Sequence, residues 1–142
     1  MPLNFEKIEL RNMLERLRNY LSHNGAANGV NYITPNRLLQ FSIGERNYLA
    51  EYDRETDPDF FRILLPIVEH VGSQLTDDVA RRMATISSAY KVGKAIQVAD
   101  NVWLTAEVFI YDRLNTDSLF ERLINLLNAM FDDYNNRQNG EE

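Results

Sequence analysis

The sequence predicts an α+β fold in two layers, an antiparallel five-stranded sheet with helices packed on it, in the order α-β-β-β-α-β-β-α. Three observations carry this. Apolar residues recur at helical spacing near both ends of the chain and once in its middle, they alternate at period two in between, and the turns joining the alternating runs are short. The chain has 142 residues, 44% of them hydrophobic and 25% charged, which is the size and composition of one domain.

The first helix is read from Phe5 to Leu21, where Ile8, Leu10, Met13, Leu14, Leu17, Tyr20 and Leu21 form one stripe among charged residues. Asn4 is placed to cap it and Asn24-Gly25 to stop it. Gly25 to Asn36 carries two Gly, three Asn and a Pro, and reads as a connecting loop with a short extended piece at Val30 to Ile33. Leu39, Phe41 and Ile43, then Tyr48, Ala50 and Tyr52, alternate with mostly polar residues across Gly44-Glu45-Arg46-Asn47, the pattern of a hairpin. A third strand is expected from Phe60 to about Leu65, ending or bulging at Pro66, because proline cannot donate to a strand ladder.

Thr76-Asp77-Asp78 opens a second helix with a hydroxyl cap and two first-turn carboxylates, and Val79, Met83, Ile86 and Tyr90 follow at helical spacing. Lys91 to Val98 and Val102 to Tyr111 form a second hairpin around Ala99-Asp100-Asn101. Its second strand sets Trp103, Thr105, Glu107, Phe109 and Tyr111 on one face and Leu104, Ala106, Val108 and Ile110 on the other, a largely apolar pattern that suits a central strand. Asn115-Thr116-Asp117 caps a third helix that runs to about Asn135. Residues 1–135 thus form a single domain, and 136–142 a polar tail expected to be disordered.

Fifteen Lys plus Arg against twenty-one Asp plus Glu leave a net charge of -6, the wrong sign for a domain that binds by neutralising phosphates, so no nucleic-acid partner is expected. The absence of cysteine excludes disulfides, thiol nucleophiles and thiolate metal sites. No apolar run approaches the roughly 20 residues that span a bilayer, and the N-terminus lacks the pattern of a signal peptide, so the expected address is the cytoplasm, with no membrane contact.

Catalytic constellations are equally lacking. His23 and His70 share no metal-ligand spacing, and no Ser or Lys stands in a recognisable nucleophile setting. The pairs Asp57/Asp59, Asp77/Asp78 and Asp132/Asp133 are explained by a turn, a helix start and a solvated helix face. Gly25 to Gly29 follows a helix and lacks the Lys-Ser/Thr of a phosphate loop. Tyr48, Tyr52, Trp103, Phe109 and Tyr111 lie on strands, but three lysines cannot build the basic groove of a base-stacking platform. The expectation is a domain without catalytic residues, metal or cofactor.

The last helix is the most informative segment. Leu119, Leu123, Leu126, Met130 and Tyr134 make one line, and Phe120, Ile124, Leu127 and Phe131 the adjacent one, wider than a single contact needs. One side faces the sheet, and the other faces either the first helix of the same chain or a second polypeptide. Leu119, Phe120, Leu123, Ile124, Leu127, Met130 and Phe131 are therefore the candidate protein-binding residues.

Three stretches carry a family resemblance: Asp57-Pro58-Asp59-Phe60-Phe61-Arg62-Ile63-Leu64-Leu65-Pro66, the helix ending in Ser88-Ala89-Tyr90-Lys91-Val92-Gly93-Lys94, and the last strand leading into a Leu-rich helix. Over about residues 38 to 134 the chain resembles the YbjN-type family of bacterial sensory-transduction regulators, which is similar in fold to the type III secretion chaperones. The first helix matches by position only. The resemblance implies a small acidic sheet-and-helix fold, usually dimeric, and a chaperone-like or adaptor domain that binds another protein or peptide segment as a homodimer. The alternative is a ligand-sensing regulatory domain of bacterial signalling, for which Tyr52, Arg62 and Glu107 are the polar candidates.

Overall fold

The computed structural model describes residues 12–24, 27–111 and 114–138. Within them the chain runs α1 (Met13–Asn24), β1 (Ala27–Thr34), β2 (Leu38–Ile43), β3 (Arg46–Glu51), β4 (Phe60–His70), α2 (Asp77–Ala89), β5 (Gly93–Val98), β6 (Asn101–Phe109) and α3 (Thr116–Gln138). The sheet has six strands, not five, in the order β1-β2-β3-β4-β6-β5, with every neighbouring pair antiparallel.

The additional strand is β1, longer than the short extended piece at Val30 to Ile33 expected within a connecting loop. An edge strand needs a partner on one side only, so its exposed positions can be Asn28, Gly29 and Asn31 while Val30 and Tyr32 pack toward the core. Asn28 Nδ2 also donates to the Gly44 carbonyl at 2.7 Å, using a turn-forming residue to fasten the edge. The turn into β2 has Pro35 at its second position and Asn36 at its third with φ 62°, the type II pattern. Gly44, φ 61°, takes the first position of the two-residue turn between β2 and β3, which glycine fits because it has no Cβ to clash.

β4 is the second correction, since it continues past Leu65 to His70. Pro66 interrupts the ladder as expected. Pairing stops at Leu65↔Leu104 and resumes at Glu69↔Val102, so Pro66, Ile67 and Val68 stand opposite Trp103 alone, with Ile67 at φ 54°.

The helix ends follow their polar residues. Thr76 accepts from the Val79 amide and Asn115 Oδ1 from the Ser118 amide, while His23 bonds the Asn19 carbonyl at the C-terminal end of α1. Helix α3 runs three residues beyond the expected end, where Arg137 pairs with Asp133 one turn earlier at 2.9 Å. The expected first half of the first helix with Asn4, together with Gly25 and residues 139–142 of the expected tail, lies outside the described residues. Among the described residues no helix is long and apolar enough to cross a membrane.

All three described helices cover one face of the sheet. Leu39, Phe41, Tyr48, Ala50, Phe61, Ile63, Leu65, Val102, Leu104 and Ala106 form the strand side of the core, and Met13, Leu17, Leu21, Val79, Ile86 and the buried line of α3 form the helix side. Aromatic contacts tie the layers together: Phe120 of α3 meets Phe61 of β4 and Tyr20 of α1, each at 5.7 Å between centroids. Leu127 lies in this core with no exposed surface. Leu127→Asp buries an unpaired carboxylate and removes an apolar side chain, a cost of several kcal/mol against a total domain stability of about 5–15 kcal/mol. The expected outcome is loss of the cooperative thermal transition by circular dichroism, not a folded monomer.

Candidate functional site

The α3 residues singled out from the sequence are mostly interior. Phe120, Leu123, Ile124, Leu127 and Met130 are buried in the chain's own core, and Leu119 and Phe131 are half-buried against it. The wide stripe is explained within the chain, because α3 packs on the sheet, on α1 and on α2 together. Met130 covers Gly93, where a Cβ would come within 2.3 Å of its sulfur, so its flexible thioether fills space left by the missing side chain. Phe131 is capped by the Arg46 guanidinium, 4.4 Å from the ring centroid, which in turn bonds Asn128 and Asp132.

What the described helices leave uncovered is the other face of the sheet. Side chains alternate along a strand, so the register assigns to this face Glu51 of β3, Phe60, Arg62 and Leu64 of β4, Trp103, Thr105, Glu107 and Phe109 of β6, and Lys94 and Ile96 of β5. No described helix lies on that side. The large hydrophobic residues that stand exposed are Ile33, Ile67, Val92, Phe109 and Tyr111. Ile33 and Phe109 alternate with the inward-facing Tyr32 and Val108, and Ile67 projects from the bulge while Val68 packs on the core. Phe109, 77% exposed, meets Phe60 edge-on at 5.9 Å.

Four charges are chained across this face, with Glu51, Arg62 and Glu107 directly opposite one another and Lys94, which stands opposite Thr105, reaching Glu107 on the diagonal. Glu51 on β3 accepts from Arg62 Nε on β4 at 2.8 Å, Arg62 Nη1 donates to Glu107 on β6 at 3.2 Å, and Lys94 Nζ on β5 reaches Glu107 at 2.6 Å. Burial works against the Arg62 cation, but its bonds to Glu51 and Glu107 outweigh it and hold the pKa above the ordinary arginine value. Apolar groups flank the line on both sides, Phe60 and Phe109 toward one end of the strands, Leu64, Trp103 and Ile96 toward the other. Leu64 and Thr105 are opposite one another and buried, and neither the Thr105 hydroxyl nor the Trp103 indole N–H has a hydrogen-bond partner among the described residues.

The other polar residues do not converge into a catalytic arrangement. Arg62 and Glu107 meet, but Tyr52 points the opposite way, buried, with its hydroxyl on the Pro58 carbonyl at 2.8 Å. His70 bonds Asn101, and no group of three or more metal-ligating residues comes together among the described residues. A polar cleft of about 630 Å³ lies where α1, the β1–β2 turn and the loop after β3 approach one another, lined by Asn12, Glu15, Tyr32, Arg37, Asp53 and Arg54 among others. The chain matches no protein-family model and no curated protein.

One further cluster carries titratable groups. Arg82 of α2 donates twice to Glu69 of β4, at 2.8 and 3.0 Å, and the Tyr134 hydroxyl of α3 donates to the same carboxylate. Desolvation, followed by the bond to Glu69, pushes the Tyr134 phenol up to about 12. The carboxylate clamps three elements where the β4 bulge ends. Glu69 and Arg82 escaped the sequence reading because no spacing links positions 69, 82 and 134.

Two outcomes follow. With a folded pKa above the unfolded one, the stability contributed by Tyr134 is whole below pH 10 and is lost as pH rises toward about 12. The urea midpoint of the native protein should therefore fall more steeply across that range than that of Tyr134→Phe, and parallel curves would contradict the clamp. Phe109→Ser, by contrast, alters an exposed side chain and should leave urea stability at pH 7 within about 0.5 kcal/mol.

Proposed function

We propose that this chain is a non-enzymatic, chaperone-like or adaptor domain, working as a homodimer, that seats another polypeptide on the face of its sheet that no described helix covers. One observation carries the reading: the exposed Ile33, Ile67 and Phe109 lie on the side of the sheet that no described helix covers. Exposed apolar groups beside charged ones are a usual feature of protein-contact surfaces. The family resemblance to YbjN-type regulators and secretion chaperones points the same way, as does the acidic net charge, which keeps an apolar surface soluble and favours basic partners. β1 adds a second feature, an eight-residue edge strand without a charged side chain, open to pairing with an extended segment. The reading places the protein in the cytoplasm.

A ligand-sensing regulatory role is the second reading, and it rests on the polar cleft, whose volume falls in the range of small-molecule sites. A compound seated there would raise the melting temperature in a thermal-shift screen, and Arg54→Ala would abolish that rise.

The protein-binding reading is tested by placing a photo-crosslinking amino acid at position 67 or 109 in the native cell and identifying adducts by mass spectrometry. Covalent adducts with polypeptide are expected at both positions and not at exposed Asp78. Irradiation that yields no polypeptide adduct at 67 or 109 overturns the reading.

A further inference from the structure

We infer that the homodimer forms edge to edge: β1 pairs antiparallel with β1 of a second copy, about a twofold axis normal to the sheet at Asn31. This seam belongs to the homodimer proposed above and rests on that reading. Among the described residues β1 has a neighbouring strand on one side only, so the backbone groups on its other side are open to pairing.

The register shows which groups those are. The two-residue turn makes Ile43 and Arg46 a hydrogen-bonded pair, and the Tyr52 amide donates to the Arg37 carbonyl at 3.1 Å, so the odd-numbered residues of β2 bond toward β3. The even-numbered ones therefore bond toward β1, where Ser42 stands opposite Gly29 and Gln40 opposite Asn31. Gly29 and Asn31 direct their N–H and C=O groups at β2, and Val30 and Tyr32 direct theirs outward. Register shifts at Asn28 and Ile33 leave residues 29–32 as the regular part of the edge. Within it, one pairing sets both outward residues of each copy against outward residues. Val30 lies opposite Tyr32 of the second copy and Tyr32 opposite its Val30, giving four hydrogen bonds, with Asn31 facing its own copy on the axis.

Side chains agree with this pairing, because opposite residues share a face. On the helix side each contact joins a β-branched and an aromatic residue, Val30 and Tyr32, both half-buried within one copy. On the other side Ile33 of one copy comes beside Gly29 of the other. Ile33 is 53% exposed, and beyond the chain neighbours of Gly29 nothing lies within 4 Å of where a Cβ would stand, so the exposed side chain meets open space. Charge selects the same edge. Each copy carries a net -6, yet β1 has no charged side chain to set against its like, whereas β5 at the opposite edge carries Lys94. The axis joins six strands from each copy into one sheet with the described helices on one side, and leaves Ile67 and Phe109 free for another polypeptide.

The chain has no cysteine, so a single introduced thiol reports contact with a second copy. Asn31 is exposed and occupies the non-hydrogen-bonded pair on the axis, where Cα atoms stand about 4.5 Å apart, within disulfide reach. Asn31→Cys, treated with oxidised glutathione at dimer-forming concentration, should give a disulfide-linked dimer. Gly29→Cys should not, since its two copies lie about 14 Å apart along the strands in this register. Absence of the Asn31→Cys link, or equal linking by both variants, overturns the seam.

Val30→Pro removes an outward N–H and spares the ladder to β2. It should keep the native circular-dichroism spectrum and weaken dimerisation at least ~10-fold by analytical ultracentrifugation. Undiminished dimerisation overturns the seam and leaves the homodimer standing, while a native protein that is monomeric at every concentration overturns both. Where Val30→Pro fails to fold, the two thiol variants decide. Adducts from position 109 test the seating of another polypeptide independently of either result.

Discussion

Everything in this molecule depends on the period-two alternation of β4 and β6 being held in one register. Phe61, Ile63 and Leu65 face the helices from β4, and Leu104 and Ala106 from β6, while Arg62, Leu64, Thr105 and Glu107 take the intervening positions. A slip of one residue would exchange the two sets, placing Arg62 and Glu107 beneath α3 and the core aliphatics in water. Both strands are apolar on most of each side, so hydrophobicity alone discriminates weakly between the two registers. The ion pairs Arg62–Glu107 and Arg62–Glu51 add a preference, since they form only in the observed alignment. Pro66 confines the register to six consecutive pairs before the bulge, and the Glu69–Arg82–Tyr134 clamp recaptures the strand on the far side.

That clamp explains why an irregular segment sits in the middle of the sheet. Ile67 holds a left-handed backbone that a β-branched residue adopts at a cost of about 1–3 kcal/mol, and such conformations persist only where the surroundings impose them. Leu65 is fixed in the core before the bulge, and Glu69 is fixed after it by two elements from the helix layer. Three residues must span the distance that one residue, Trp103, spans on β6, and the surplus chain pushes Ile67 outward. An exposed hydrophobic residue on the open face is thus a by-product of a proline and a carboxylate three residues apart.

The sequence was legible where a single local rule decides. Both hairpins, the Thr76 and Asn115 caps and the two faces of β6 follow from turn residues, hydroxyl or amide side chains and alternation, each read within about ten residues. β1 was hidden because an edge strand tolerates the Gly and Asn content that normally marks a loop. The sequence leaves open whether Pro66 ends β4 or bulges it, and the strand that resumes beyond the bulge is held by Arg82 from a later helix. In α3 the apolar positions were visible, but their destination was not, since a stripe packed on its own chain and one packed on a partner have the same composition. The charge line was invisible for a stronger reason: residues 51, 62, 94 and 107 share no spacing, and only the order β3-β4-β6-β5 brings them within reach of one another.

That line also bears on how the sheet face beyond the described helices would discriminate among partners. A uniformly apolar face would pack against any similar surface in many registers, whereas a crossing line of alternating charge penalises every register that sets like signs together or leaves an ion unpaired out of water. The aromatic groups on either side supply the area and the line supplies the alignment. Because each charge is already satisfied within the chain, the free face loses little by carrying it, and a partner must match the line to cover the face without stranding an ion. On the proposed protein-binding reading, affinity and selectivity reside in different residues of the same surface, Phe60, Phe109 and Trp103 for the first, Glu51, Arg62, Glu107 and Lys94 for the second.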